Sequence, residues 1–316
     1  MLDPSLLDWI AGTTGARRAR PGERVQALWG GYGELVRVHL DSGPAPTVVL
    51  KHIQPPRRPP RDGGRGHARK LRSYAVEVAW YRDFADRCGP GCRVPRALAS
   101  RSRGVETLLL LEDLDEAGFP ERRRHLSGAD CSAALTWLAH LHGTFLGVAP
   151  SGLWFEGSYW HLSTRPDERA TMARGPLWRA AGALDRALCG ARHRTLIHGD
   201  AKPANLCFGP GGVAAVDFQY VGGGCGMRDV AYLLSCLPSR WCETHASAAL
   251  DHYFSVLRAS LPATADGDAV EAEWRALLPV AWADFARFLA GWAPGQERLG
   301  PYGDAQVAAG LAAVDG

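Results

Sequence analysis

The part of the sequence that decides the fold is a polar loop enclosed by short apolar runs. It reads Leu196-Ile197-His198-Gly199-Asp200-Ala201-Lys202-Pro203-Ala204-Asn205-Leu206-Cys207-Phe208, and Ala215-Val216-Asp217-Phe218-Gln219 follows it. The apolar runs have the length and composition of short strands. Because strands on both sides would hold the polar residues in fixed positions, we expect this loop to carry chemistry.

Two acids and one amide in this region have the spacing D-x4-N-x11-D, from Asp200 through Asn205 to Asp217. This set fits phosphoryl transfer, because one carboxylate can position and deprotonate an attacking hydroxyl. The amide and the second carboxylate can hold Mg²⁺ against nucleotide phosphates, since Mg²⁺ prefers oxygen ligands. The spacing therefore predicts a kinase-type active site.

The loop resembles the catalytic loop of the protein-kinase-like small-molecule phosphotransferases. These include the aminoglycoside phosphotransferases, the choline kinases and the ecdysteroid-kinase-like (CHK) group. The resemblance extends over about residues 25 to 295. It implies an α+β, two-lobed protein-kinase-like fold, with an N-terminal antiparallel sheet lobe and a mostly helical C-terminal lobe. It also implies that the protein uses ATP and Mg²⁺.

The resemblance gives each polar residue of the loop a role. Asp200 is the implied catalytic aspartate, and Lys202 is implied to reach the γ-phosphate from the catalytic side. His198 is implied to brace the loop. Asn205 and Asp217 are the implied Mg²⁺ ligands.

The residues after Asp217 separate this chain from the protein kinases. Gln219 replaces the glycine of the D-F-G triplet, a departure that is common in the small-molecule branch. No A-P-E segment follows, and little room remains for an activation loop before Asp229. Asp229 itself matches the acid that ties down the catalytic loop, so we interpret it as a structural support.

The first third of the sequence supplies the nucleotide-binding elements of such a fold, in the required order. A glycine-rich turn, Gly30-Gly31-Tyr32-Gly33, is expected over the phosphates. Lys51 on a predicted strand is expected to bind the α- and β-phosphates, and Glu77 on a predicted helix is expected to pair with it. Apolar neighbours of Glu77 indicate a partly buried helix face, where an unpaired carboxylate would be costly.

A connector between the lobes is predicted at Leu108-Leu109-Leu110-Leu111-Glu112-Asp113-Leu114. It matches the hinge whose backbone receives adenine, with Glu112 and Leu114 as the implied contacts, and the same run can also form a buried strand. The lobes are accordingly expected at residues 1–113, for nucleotide binding, and 114–316, for catalysis and acceptor binding. The hinge itself is expected at about residues 110–114.

Hydrophobic periodicity predicts strands in residues 25–53, a helix from about Lys70 to Cys88, and mostly helices after the catalytic region. Prolines and glycines are expected to interrupt regular structure in residues 54–66. The stretch 57–72 carries seven basic residues and one acid. Because stacking aromatics are missing there, a solvated loop is favoured over a nucleic-acid patch; a loop that folds over phosphates or an anionic substrate remains the alternative.

Acceptor recognition is expected in the helical lobe. Residues 154–165 concentrate aromatic and polar side chains in a predicted loop, and Tyr159, Trp160 and Arg165 are the candidate substrate contacts there. Trp292, at the end of a C-terminal aromatic run, is the fourth candidate. Aromatic side chains can cage an ammonium group or stack on a flat substrate, although aromatics at helical spacing more often belong to the core.

Composition narrows the class of protein. The chain has 316 residues and a formal net charge of +3, which is too weak to indicate nucleic acid or a membrane surface as a partner. Lysine occurs only at Lys51, Lys70 and Lys202, so nearly all surface positive charge comes from arginine. The eight cysteines include no C-x-x-C pair and no zinc-ligand spacing. The sequence shows no signal peptide and no membrane-spanning run, so we expect a cytoplasmic protein. We expect it to be a monomer or a homodimer.

The function expected from the sequence is an ATP- and Mg²⁺-dependent O-phosphotransferase of the CHK type that acts on a small hydroxylated molecule. An aminoglycoside-type or choline-type kinase is the enzymatic alternative. The non-enzymatic alternative is a nucleotide-binding pseudokinase that acts as an interaction module. The pseudokinase is disfavoured, because such proteins usually lose a lysine, a base or a metal ligand, and none is lost here.

Overall fold

The computed structural model of the protein describes residues 2–56 and 64–315. The chain forms two compact units. The first comprises Met1–Arg87, Val94–Glu121 and Cys207–Gln219, and the second comprises Cys88–Arg93, Arg122–Leu206 and Tyr220–Gly316. The first contains an antiparallel sheet and the second is mostly helical, which confirms the predicted α+β class and its two kinds of lobe. The expected boundary near residue 113 stays a prediction.

The sheet of the first unit has five strands in the order β1-β2-β3-β5-β4. The strands are β1 (Arg18–Ala27), β2 (Gly33–Asp41), β3 (Thr47–Ile53), β4 (Ala97–Arg103) and β5 (Glu106–Glu112). All neighbouring pairs are antiparallel. Strands β1 and β4 are the edges, and alternating exposed arginines and serines on β4 explain why its sequence does not show the apolar pattern of the central strands.

The two faces of this sheet carry different kinds of side chain. On one face, Val36, Leu50 and Leu110 lie side by side in register and are buried. Lys51 is one residue further along β3, so its side chain points to the opposite face. The alternation of the strand thus places the lysine away from the apolar cluster under the sheet.

Two helices belong to this unit. Hydrophobic periodicity does not predict α1 (Pro4–Thr14), whose Leu6 and Ile10 pack on the apolar sheet face. It begins at Asp3, which caps it by accepting a hydrogen bond from the Ser5 N–H, and ends at Gly15 with a positive φ. Helix α2 (Arg65–Asp83) carries Glu77.

The start of α2 corrects one expectation. The helix begins at Arg65, five residues before the predicted start, so Arg65, Arg69, Lys70 and Arg72 lie on a helix and not in a solvated loop. The remaining basic residues of the stretch, Arg57, Arg58 and Arg61, lie outside the described residues.

The remaining strands are short and surround the catalytic region. They are β6 (Glu121–Arg122), β7 (Thr195–Ile197), β8 (Leu206–Gly209), β9 (Gly212–Ala215) and β10 (Gly222–Gly224). Strands β6, β8 and β9 form one sheet, and β7 pairs with β10 antiparallel. The short apolar runs of the sequence are therefore strands, as predicted.

The second unit is built from α3 (Gly128–Thr144), α4 (Pro166–Thr171), α5 (Pro176–Cys189), α6 (Met227–Ser235), α7 (Ser239–Ser260), α8 (Gly267–Trp292) and α9 (Gly300–Ala312). Helix α3 begins with a capping box formed by Ser127 and Asp130 and packs against α7. Helix α8 packs against α5, α6 and α9. In the described parts of the chain, no helix combines the length and the apolar character needed to cross a membrane.

Candidate active site

The glycine-rich turn connects β1 to β2 in the first unit. The Leu28 N–H donates to the Gly33 carbonyl at 2.8 Å, which closes the turn. Gly30, Gly31 and Gly33 all have positive φ, and a Cβ on Gly33 would lie 2.0 Å from the His52 carbonyl oxygen. A Cβ on Gly31 would meet no atom within 4 Å, so the backbone there faces open space into which a phosphate can approach.

The side chains of this turn are held by α2. The Tyr32 hydroxyl lies 2.7 Å from His67 Nδ1, and Tyr32 is buried. Trp29 is largely exposed, with the Lys70 ammonium 5.8 Å from the centre of its ring. The same ammonium lies 5.6 Å from the Tyr74 ring. The third lysine of the chain therefore contacts the glycine-rich turn from the first part of α2.

Lys51 forms the predicted ion pair with Glu77. Its Nζ lies 2.6 Å from Glu77 Oε2 and 3.4 Å from Asp217 Oδ1, and both Lys51 and Glu77 are buried. Burial opposes the charged ammonium, but Glu77 and Asp217 outweigh it and raise the pKa of Lys51. Lys51 is thus a permanent cation beside the acid expected to bind Mg²⁺.

Asp217 is held from its other side by Gln219. Gln219 Nε2 donates to Asp217 Oδ1 at 2.5 Å, and Gln219 Oε1 accepts a hydrogen bond of 3.1 Å from the Ser73 hydroxyl on α2. Phe218 is fully buried and stacks on Trp80 of the same helix, with ring centres 4.6 Å apart. The residue that replaces the glycine of the D-F-G triplet therefore supports Asp217.

The backbone of Asp217 is strained. Its φ is +67°, in the left-handed region that non-glycine residues rarely occupy, although aspartate tolerates it better than most. Such a conformation costs on the order of 1–3 kcal/mol and persists only where neighbouring interactions impose it. The bonds from Lys51 and Gln219 are such interactions, and they fix the direction of the carboxylate.

The predicted hinge residues lie at the end of β5 and directly after it. Asp113 is buried and accepts hydrogen bonds from Arg37 Nε at 2.5 Å and from the Thr47 hydroxyl at 2.7 Å. The Leu114 carbonyl accepts the Phe119 N–H, while among the described residues the Leu114 N–H donates to no backbone carbonyl. The Glu112 carboxylate accepts the Arg96 N–H. The Leu114 N–H is therefore the hinge donor that is available to an adenine.

In the second unit, the catalytic loop surrounds Asp200 with donors. Lys202 Nζ lies 2.9 Å from Asp200 Oδ2, and Asn205 Nδ2 donates to the same oxygen at 3.0 Å and to the Asp200 carbonyl at 2.9 Å. Asp200 and Asn205 are buried. The structure thus brings together Asp200, Lys202 and Asn205, three of the residues that the sequence singles out in this loop.

The loop is anchored by Asp229 at the start of α6. The Asp229 carboxylate accepts the N–H of His198 at 2.6 Å and that of Gly199 at 2.9 Å, one on each oxygen. His142 lies 3.2 Å from the same carboxylate and 2.7 Å from the Tyr253 hydroxyl. His198 Nδ1 accepts the Asp200 N–H. His142 is therefore a further buried support of the catalytic loop, which its helical sequence context alone does not indicate.

Gly199 has no room for a side chain. Its φ is +78°, and a Cβ would lie 2.2 Å from the Tyr220 carbonyl oxygen. The Gly199 carbonyl accepts the Tyr159 N–H at 3.0 Å, which joins the loop to the segment proposed for acceptor binding.

The candidate acceptor residues differ in exposure. The Lys202 ammonium lies 6.0 Å from the centre of the Tyr159 ring, and the Arg165 guanidinium lies 5.3 Å from the same ring. Trp292 is 53% exposed and stacks on Phe288. Trp160 is fully buried against Tyr232 and Phe285, so its ring belongs to the core, and this corrects its selection as an acceptor contact.

Each unit carries, by itself, a polar side chain of the kind that binds Mg²⁺. Both hydrogen bonds of the Asn205 amide use Nδ2, so its carbonyl oxygen is the atom that it can offer to a metal. The Asp217 side chain is 35% exposed while its direction is fixed. Carboxylate and amide oxygens are the donors that Mg²⁺ prefers.

A comparison with known protein families matches most of the chain. The sequence model of the phosphotransferase enzyme family (APH) matches residues 24–265. Among curated proteins, no sequence matches the chain.

Three solved structures are similar across nearly the whole chain. A candidate fructosamine-3-kinase from Thermobifida fusca YX-ER1 has a TM-score of 0.54 at 19% identity, with all of both chains covered. The amicoumacin kinase hAmiN, solved with AMP-PNP, Ca²⁺ and Ami, has a TM-score of 0.57 at 15% identity, covering 100% of this chain and 93% of the other. Choline kinase from Cryptosporidium parvum Iowa II has a TM-score of 0.53 at 10% identity, covering 98% and 95%. These similarities establish the protein-kinase-like fold.

Proposed function

The chain belongs to the phosphotransferase enzyme family, and we propose that it transfers the γ-phosphate of ATP, with Mg²⁺, to a hydroxyl of a small molecule. The membership makes it a small-molecule kinase. The observation that carries the finer proposal is the position of Lys51, whose ammonium contacts both Glu77 and Asp217. This is the arrangement that kinases use to hold nucleotide phosphates beside a metal-binding acid.

The residues of the first unit act on the nucleotide. The open backbone at Gly31 and the Lys51 ammonium provide N–H donors and a positive charge for the phosphates. The Leu114 N–H provides a donor for adenine. The ion pair with Glu77 keeps the lysine side chain extended, so little conformational freedom is lost when a nucleotide binds.

The residues of the second unit act on the acceptor. The Asp200 carboxylate takes the proton of the acceptor hydroxyl while the hydroxyl oxygen forms a bond to the γ-phosphorus, the bond to the β-phosphate oxygen breaks, and ADP leaves. Lys202 and Asn205 orient Asp200 Oδ2, and the Lys202 ammonium can also neutralise charge on the transferred group. Asp229 keeps the loop in this shape through His198 and Gly199.

Asn205 and Asp217 would hold Mg²⁺, which supplies neutralisation of the phosphate charge that develops during transfer. Gln219 and Lys51 position the Asp217 carboxylate for this task. The first of these supports is specific to chains that carry an amide in place of the D-F-G glycine.

We place the acceptor among small hydroxylated compounds, as the CHK-type resemblance suggests. Lys202 and Arg165 lie beside the Tyr159 ring near the catalytic loop. Each is paired with a carboxylate, Asp200 or Glu168, so these two cations do not decide the charge of the acceptor. An aminoglycoside-type or choline-type acceptor is the alternative, and structural neighbours include kinases named for choline and amicoumacin.

A screen for ATP consumption tests the proposal. Wild-type protein with ATP and Mg²⁺ is incubated with panels of amino alcohols, aminoglycosides, nucleosides and sterols, and phosphorylated product is identified by mass spectrometry. We expect phosphorylation of one compound class that requires both ATP and Mg²⁺. Mg²⁺-dependent ATP binding without transfer to any panel member would instead favour the pseudokinase alternative, and failure to bind ATP would contradict the proposal outright.

A further inference from the structure

We propose that the second unit contains a zinc site formed by Glu156, His161, Asp185 and Cys189. The cluster is separate from the proposed magnesium ligands Asn205 and Asp217, and it includes a thiol, which magnesium does not use. One donor atom each from Glu156, His161 and Cys189 lies within 4.8 Å of the others. Asp185 adjoins this set through His161 and Cys189.

Two parts of the chain contribute the four side chains. Asp185 and Cys189 lie four residues apart at the end of α5, so they share one face of the helix. Glu156 and His161 come from the loop that precedes α4. The donors are not arranged with the short sequence spacing that is typical of zinc sites. The sequence therefore does not predict the cluster, which forms only when the chain folds.

The distances among three of the donors, Cys189, His161 and Asp185, suit a zinc ion. Cys189 Sγ lies 3.6 Å from His161 Nε2 and 3.7 Å from Asp185 Oδ1. With ordinary zinc–sulfur, zinc–nitrogen and zinc–oxygen bond lengths, these separations correspond to angles of about 110° to 115° at the metal. His161 Nε2 and Asp185 Oδ1 are 2.8 Å apart, so a zinc ion would replace their direct contact and separate them by about 0.5 Å.

The far side of each loop donor is already held, as ligating side chains usually are. His161 Nδ1 contacts the Ser163 hydroxyl at 2.9 Å, which leaves Nε2 facing the cluster. Glu156 Oε1 accepts a hydrogen bond from Arg194 at 2.6 Å, while Glu156 Oε2 is buried and has no hydrogen-bond partner among the described residues. The Glu156 side chain is only 9% exposed, and this oxygen has an ion-pair contact with Arg228 at 3.5 Å but no hydrogen bond, so it is a buried acceptor that a metal ion could bind.

Buried and half-buried arginines lie beside the anionic side chains of the cluster. Arg228 is fully buried, with its guanidinium 3.5 Å from Glu156 Oε2 and 3.7 Å from Cys189 Sγ. Zn²⁺, Arg228 and Arg194 would together oppose the charges of two carboxylates and the Cys189 thiolate, so each buried anion of the site would have a cationic neighbour. Arg228 also favours the thiolate form that zinc requires.

The thiol limits which metals can bind. Cys189 offers a sulfur ligand within 3.7 Å of the His161 imidazole and the Asp185 carboxylate. Hard ions such as Mg²⁺ bind thiolates poorly, whereas zinc binds thiolate, imidazole and carboxylate together. The cluster therefore selects zinc over the magnesium of the proposed reaction.

The site would position the loop beside the catalytic residues. Ser158, between Glu156 and His161, has a φ of +103°, and its N–H donates to the Tyr220 carbonyl. The next residue, Tyr159, donates its N–H to the Gly199 carbonyl of the catalytic loop. A zinc ion that joins both ends of this short segment to α5 would fix the backbone that contacts Gly199.

Metal analysis of the full chain tests the proposal without ATP, magnesium or acceptor, so its result is independent of the proposed kinase activity. Protein without a histidine tag is produced in zinc-supplemented medium, desalted without chelators, and measured by inductively coupled plasma mass spectrometry. We expect about one zinc per wild-type chain. Cys189→Ser and His161→Gln should lose it, whereas Cys236→Ser, at a half-buried cysteine outside the cluster, should retain it.

Two further measurements cover variants that fail to fold. Cobalt(II) titrated into the metal-free wild-type protein should give the charge-transfer absorption of a cobalt–thiolate bond. Ser163→Ala keeps all four donors but removes the support of His161, and it should weaken zinc affinity by ~10–100-fold. Folded wild-type protein that holds no zinc above the level of Cys189→Ser, and that shows no cobalt–thiolate absorption, would overturn the proposal.

Discussion

Gln219 Nε2 donates a hydrogen bond to Asp217 Oδ1 at 2.5 Å, and the same amide accepts one from Ser73 on α2. One turn further along α2, Glu77 pairs with Lys51, whose ammonium also contacts Asp217. Helix α2 is therefore joined to the proposed metal ligand by two routes. One route runs through the Gln219 amide, which replaces the D-F-G glycine, and the other runs through the Glu77–Lys51 ion pair.

The first prediction concerns Gln219. Gln219→Leu removes both hydrogen bonds and frees the Asp217 carboxylate to rotate, at a cost of about 1 kcal/mol for each bond. We expect the Mg²⁺ concentration that gives half-maximal nucleotide binding to rise by ~5–30-fold, as measured by titration with a fluorescent ATP analogue. Ser73→Ala removes only the outer bond and should have a smaller effect. An unchanged Mg²⁺ requirement in Gln219→Leu would exclude this positioning role.

The second prediction separates the binding role of Lys51 from its structural role. Lys51→Met leaves the buried Glu77 carboxylate without its partner, which should reduce the free energy of unfolding by about 3–5 kcal/mol. Lys51→Met/Glu77→Leu removes both charges and should recover most of that stability in urea unfolding. Nucleotide affinity should stay low in both variants. Recovery of nucleotide binding in the double variant would show that Lys51 does not contact the phosphates.

The third prediction concerns the support of the catalytic loop. Asp229→Asn retains only one oxygen acceptor for the two N–H groups of His198 and Gly199. Because a displacement of about 1 Å in a catalytic group can reduce the rate by ~10²-fold, we expect a fall of that order in turnover with little change in ATP affinity. Asp251→Asn, at an exposed acid that pairs with Arg275, is the matched control. Equal effects in the two variants would remove any special role of Asp229.

The catalytic loop could be predicted from sequence because its residues are contiguous. Its polar residues and the strands that flank them lie within a short segment, so their spacing alone predicts phosphoryl transfer. Lys51 and Glu77 could also be predicted, since each lies on an element with clear periodicity.

Other features depend on contacts between distant residues. Gln219 visibly departs from the D-F-G triplet in the sequence. Its partner Ser73 is 146 residues away, so its role in positioning Asp217 could not be predicted. The cluster of Glu156, His161, Asp185 and Cys189 could not be predicted either, because its members come from two separate parts of the chain. Trp160 was misjudged because aromatic residues in a polar loop suggest exposure, whereas packing against Tyr232 and Phe285 buries it. Helix α1 was missed, although Asp3 and Pro4 are an ordinary helix start.

The fourth prediction is a dependence of stability on pH. Burial acts to raise the pKa of Asp113, but hydrogen bonds from Arg37 and Thr47 hold it below the ordinary value of 3.8. A carboxyl with a lowered pKa in the folded state stabilises the protein above its unfolded pKa, and this stabilisation is lost as the pH falls through the folded pKa.

Asp113→Asn should therefore destabilise the protein near neutral pH, by about 1.5–3 kcal/mol for hydrogen bonds to a charged group. The difference from wild type should persist from neutral pH down towards the unfolded pKa of 3.8 and shrink as the pH falls below that value. Urea unfolding of both proteins across this range provides the measurement. A difference that is independent of pH would show that the charge of Asp113 contributes nothing to the stability.

The most direct test of the account is phosphoryl transfer by Asp200→Asn, measured by mass spectrometry of the phosphorylated acceptor together with the affinity for ATP and Mg²⁺. Asn keeps the shape of the side chain but cannot take the proton of the acceptor hydroxyl. We predict a loss of turnover of ~10²–10⁴-fold, with nucleotide affinity close to that of wild type. Turnover near the wild-type rate in Asp200→Asn would contradict the assignment of Asp200 as the catalytic base.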